Sequence, residues 1–209
     1  MKTFNLGDRE EAVRVRVADY LRRVGEAGFE GLLHDLEKRT KTFRAFFAYE
    51  RFGPLPAEDF RKFLWEHVWA FRDLGEEEGR RAFAEIGSPK IKESLYTMLE
   101  RHRQASFNQV WAPYVAIPFD GAVLTEILMA HYPDVYPCMN RRSVEGLGKL
   151  LDKPAAEIAA WPYVRMRAHA DDLWQLFKEQ PEYGHWTFNQ NYNYPYVDAF
   201  LAEVWEGKA

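Results

Sequence analysis

The chain is poor in the features that announce most chemistries. It has 1 cysteine, Cys138, which excludes an intrachain disulfide and a cysteine-rich zinc site and fits a reducing, cytoplasmic setting. No apolar run reaches the roughly 18 residues a membrane-spanning helix needs. The opening stretch, MKTFNLGDREEA, lacks the apolar centre of a secretion signal. There is no glycine-rich phosphate loop, no dinucleotide fingerprint and no Gly-x-Ser-x-Gly elbow. The 6 histidines form no His-Glu-x-x-His or other close pair, so no cofactor or metal is expected. Bulk basicity is missing too. The formal net charge is −4, so any nucleic-acid contact has to come from a local basic face.

What is present is a globular composition of 47% hydrophobic and 29% charged residues across 209 positions, enough for one substantial domain. Aromatics are abundant, at 16%. Apolar spacing predicts helices throughout and no convincing strand. Val13, Val17, Tyr20, Leu21 and Val24 mark a first helix ending near Gly25, and a second runs from about Phe29 to Phe47, with a possible break at 37–44. Gly53-Pro54-Leu55-Pro56 is a loop. Helices follow over Ala57–Leu74, Glu76–Ile86 and from Ser88-Pro89 onward, where proline takes the first helical position. The stretch 105–116 is expected to be partly extended. Further helices are predicted over Ala155–Ala160, Tyr163–Lys178 and Tyr196–Glu206, with a turn-rich segment at 180–195. The sum is a single all-α domain of about nine or ten helices, with possible lobes at 1–104 and 105–209.

The most organised stretch is 117–151. Val123, Leu124, Ile127, Leu128 and His131 give one helix face, and Pro133 stops that helix. Asn140 is a capping candidate for a second helix with Val144, Leu147, Leu150 and Leu151 inward. Asn140, Arg141 and Arg142 lie between the two faces, in a turn stiffened by Pro133 and Pro137 that is suited to presenting charge to a partner.

Two resemblances attach to this unit. Ile117-Pro118-Phe119-Asp120-Gly121 resembles in outline the hairpin of helix-hairpin-helix DNA glycosylases, whose backbone amides hold a DNA phosphate. Here Phe119 replaces the first hairpin glycine, and Gly121 remains. Met139-Asn140 stands where that family has its catalytic aspartate, and an asparagine cannot act as a carboxylate does. The string carried by Ile127, Leu128, Pro133, Tyr136, Pro137, Asn140, Arg142, Val144 and Leu147 is similar to a segment ahead of the motor in some McrB-like AAA+ proteins of modification-dependent restriction systems. That resemblance implies a specificity module serving a GTP-driven translocase. This chain holds no Walker motif, so the AAA+ motor would be a fused or separate partner.

The expected function is therefore a non-catalytic, double-stranded DNA-binding specificity module. Arg141, Arg142, Asn140, Gly121 and Lys149 would meet phosphates, with a second basic run at Lys38, Arg39, Lys41 and Arg44 and a third at Lys90, Lys92, Arg101 and Arg103. Trp111 and Tyr114, or Trp186, Tyr192 and Tyr194 among neighbouring amides, would form a pocket stacking on a base. The plainer reading gives a solvated charged face and core aromatics. The alternatives are a glycosylase-like base-excision enzyme and a protein-interaction domain. No membrane contact is expected.

Overall fold

The computed structural model describes residues 5–86, 88–101, 121–186 and 188–209. Among them are eleven α-helices and no strand: α1 Glu10–Phe46, α2 Tyr49–Phe52, α3 Ala57–His67, α4 Trp69–Leu74, α5 Glu76–Ile86, α6 Ser88–Arg101, α7 Gly121–His131, α8 Arg141–Leu151, α9 Ala155–Ala159, α10 Tyr163–Lys178 and α11 Asn193–Glu206. The fold is all-α, as the apolar spacing predicts. The expected extended stretch at 105–116 lies outside the described residues.

α1 is two helices end to end. Gly25 sits between them at φ 68°, ψ 169°, a left-handed backbone that a side chain disfavours, which is why the first apolar face stops there. Beyond Gly25 the helix runs unbroken to Phe46, so no break occurs at 37–44. A different break does occur. The predicted helix over Ala57–Leu74 is divided at Val68, whose backbone is extended at φ −112°, ψ 105°.

That division has a tertiary cause. A helix start leaves amide groups without partners. At α4 those of Trp69 and Ala70 donate to the two carboxylate oxygens of Glu126, on α7, at 2.9 and 2.8 Å. Glu126 is 1% exposed. A side chain from another helix thus caps α4, and local sequence around Val68 gives no sign of it.

Two cores form, and they do not follow the expected halves of the chain. The first joins Val13, Val17, Tyr20 and Phe29 of α1 to Leu147 of α8, Phe177 of α10 and Phe200 of α11. The second joins Phe43 and Phe46, near the end of α1, to Phe60, Phe63, Phe71, Leu95 and Ile127. α1 therefore threads both. The two helices of the 117–151 unit also part company. Most of α7's apolar face enters the second core, while α8 enters the first and packs chiefly on α11 and α9. The helix-hairpin-helix expectation gains nothing from this, and its hairpin residues 117–120 lie outside the described residues.

α8 and α11 approach closely because Gly146 faces the backbone of Leu201. A Cβ placed at Gly146 would lie 2.2 Å from the Leu201 carbonyl oxygen. This seam carries the polar groups described next.

Candidate nucleic-acid interface

The corner at 140–142 is built inward. Asn140 adopts an extended backbone (φ −73°, ψ 171°), and its Oδ1 accepts from the Ser143 amide at 3.0 Å, a standard helix start. It is 0% exposed, so its side chain serves the cap and faces no partner. The proline-stiffened turn hides this residue instead of presenting it.

The corner's arginines are engaged within the protein. Arg141 is exposed, yet its Nε donates to Glu145 at 2.7 Å and its Nη1 lies 3.9 Å from Asp73. That hydrogen bond from Arg141, reinforced by one from Trp205 Nε1 at 2.8 Å, holds the Glu145 carboxyl below the usual range. The Arg142 guanidinium lies 4.2 Å from the Trp69 ring centroid. Trp69 in turn meets Trp205 edge-on at 6.2 Å. Lys149 donates to the Trp205 carbonyl. Gly121 is partly buried at the start of α7. Asn140, Arg141, Arg142 and Lys149, four residues expected to meet phosphate, tie α8 to itself, to α4 and to α11.

The second basic run divides by helical angle, at about 100° per residue. Arg39 turns inward and donates to Glu126 at 2.5 Å, with its guanidinium 5.4 Å from the Phe43 ring. It neutralises the same buried carboxylate that caps α4. Lys38, Lys41 and Arg44 turn outward and are exposed. Arg44 Nε donates to the His131 carbonyl at the end of α7 at 3.1 Å. None of the three has an ion pair among the described residues. In the third run Lys92 donates to the Gly53 and Leu55 carbonyls at 2.7 and 2.8 Å, fixing the loop after α2. Lys90 is exposed, and Arg103 lies outside the described residues.

The aromatic and amide-rich segment 180–195 belongs to the first core. Trp186 packs 5.3 Å from Phe29 and stacks on Phe188 at 6.1 Å and 12°. Tyr192 is partly buried against the same cluster. Tyr194 is 3% exposed, and its hydroxyl donates to Asp171 at 2.6 Å. Asn189 closes a local turn by accepting from the Asn191 amide at 3.0 Å. Of these three expected pocket rings, Trp186 and Tyr192 pack partly buried against the first core and Tyr194 is buried within it. Trp111 and Tyr114 lie outside the described residues.

Sequence reading passed over the two acids that organise this region, Glu126 and Asp198. Glu126 did carry a signal. It interrupts an apolar run, Val123 to Leu128, where a carboxylate demands a buried partner. Asp198, on α11, lies 2.5 Å from Ser143 Oγ, within hydrogen-bond range, and burial holds its carboxyl above the usual range. An open groove of about 360 Å³ runs beside the corner, lined by Ala70, Asp73, Met139, Arg141, Val144 and Glu145 among others. Among the described residues no group of three or more His, Cys, Asp or Glu side chains is placed to hold a metal. No described helix is long and apolar enough to cross a membrane. No family model, curated protein or solved structure matches the chain.

Proposed function

We propose that the protein is a non-catalytic DNA-binding module that grips the phosphate backbone with the outer face of α1, through Lys38, Lys41 and Arg44. The corner at 140–142 is not the docking surface in this reading. One observation carries it: these three cations are exposed and lack carboxylate partners among the described residues. Elsewhere the arginines are widely paired, as Arg14 is with Glu10 and Glu179, Arg61 with Glu58 and Arg80 with Glu76.

The helix dipole gives Arg44 a local reason to sit where it does. Its influence fades within the last turn, so it does not account for Lys38 and Lys41. Steps of three residues rise about 4.5 Å each, which makes the ridge about 9 Å long. A DNA strand places a phosphate about every 3.4 Å along the duplex axis, so the ridge spans two or three of them. Such contacts position a duplex without reading its sequence. The role agrees with what the McrB-like resemblance implies, with base reading and any AAA+ motor supplied by other elements.

The test is binding of a labelled duplex at low salt by the full chain and by Lys38→Ala/Lys41→Ala/Arg44→Ala. The expected result is binding that falls about tenfold or more in the triple variant and is equal for cytosine-methylated and unmethylated duplexes. Absence of binding by the parent protein at low salt overturns the proposal.

A further inference from the structure

The α8–α11 seam holds a proton-counting problem. Ser143 Oγ lies 3.0 Å from Asn140 Oδ1 and 2.5 Å from Asp198 Oδ1. Both are acceptors if Asp198 is ionised, and a serine hydroxyl has one hydrogen to give. The asparagine cannot be turned to present its NH₂ group instead. Its oxygen is fixed by the Ser143 amide, which donates to it at 3.0 Å. A hydrogen on the carboxyl resolves the conflict: Asp198 donates to Ser143 Oγ, and Ser143 donates on to Asn140 Oδ1. Asp198 keeps some exposure as a residue, but its carboxyl is surrounded by protein. Ionised there, it would have one hydrogen-bond donor and no ion pair among the described residues.

The neighbouring arginine is the complementary half. Arg142 Nε is buried and has no hydrogen-bond partner among the described residues. The guanidinium rests on Trp69 while lying close enough to Asp198 to act on its charge. We propose that Asp198 and Arg142 form a proton-gated switch. With the proton on, Asp198 bonds to Ser143 and Arg142 rests on Trp69. With the proton released to solvent, Arg142 Nε leaves Trp69 and donates to the Asp198 carboxylate. The charged groups that bear on the pair are Glu126 of α7, Arg39 of α1 and, on the Arg142 side, Glu206 of α11. Cys138 and Tyr194 line the same small void beside the carboxyl, but the Tyr194 hydroxyl is committed to Asp171. Burial, the largest influence on Asp198, favours the protonated form.

The experiment follows the Asp198 carboxyl carbon by NMR and tryptophan emission across pH 4 to 8 in the full chain. Both should titrate together, with a midpoint above the ordinary aspartate value of about 3.9. Trp69→Phe should abolish the emission change and leave the carboxyl titration in place. Asp198→Asn, whose amide can still donate to Ser143, should hold emission flat in the low-pH state. An Asp198 midpoint at or below the ordinary value, or an emission transition that persists in Asp198→Asn, overturns the switch. The carboxyl titration of the parent protein answers the question even where Asp198→Asn does not fold.

Discussion

Two basic stretches that look alike in the sequence behave oppositely in the structure. At Arg141-Arg142 the cations meet Glu145, Asp73 and the face of Trp69, and the corner is a junction of α4, α8 and α11. At Lys38–Arg44 one arginine, Arg39, goes inside to Glu126 while Lys38, Lys41 and Arg44 stay out. The difference lies in what faces each residue across the helix, not in the local density of charge. A run of cations becomes a surface only where the opposing elements bring no acid.

That contrast can be broken at its strongest point. Glu126 serves two helix-start amides and Arg39 while 1% exposed, so Glu126→Ala leaves two donors without a partner and Arg39 without its carboxylate. A loss of about 3 kcal/mol or more in urea unfolding is expected. A loss under about 1 kcal/mol would mean that water replaces the carboxylate.

Gly146→Ala comes next. Its Cβ would press on the Leu201 backbone, and overpacking of this kind costs about 1–3 kcal/mol. The thermal midpoint should drop by several degrees, and a larger apolar residue at the same position should drop it further.

Asn140→Ala sharpens the comparison directly. Removing the cap should cost about 1 kcal/mol while leaving duplex affinity unchanged, because the side chain is buried. A loss of affinity with no loss of stability would return the corner to the binding surface. Lys38→Ala should do the reverse, leaving the thermal midpoint where it is and weakening duplex binding. Arg141→Ala should change neither by much, since its partners are exposed or partly exposed and such pairs contribute little.

Much of the fold was legible in the sequence, because it follows from apolar spacing and turn residues. Gly25, Gly53-Pro54, Pro133 and the Asn140 cap all punctuate the chain as their chemistry requires. The break at Val68 was not legible, since its cause, Glu126, lies 58 positions further along the sequence. The candidate site was half legible. The basic residues are identifiable as types, but which of them face acids depends on how α4, α7 and α11 come together. The rings at Trp186, Tyr192 and Tyr194 illustrate the same limit. Asparagine and glutamine around them suggest a loop, while their own apolar faces are consumed by Phe29 and the first core.

The most direct test of the contrast is the salt dependence of duplex binding. Three neutralised phosphates predict a slope of about −2.7 in log affinity against log salt concentration. Lys38→Ala and Lys41→Ala should each remove about 0.9 from it, and Arg141→Ala/Arg142→Ala should leave it in place. A slope that survives loss of the α1 cations and collapses with the two corner arginines would contradict the account.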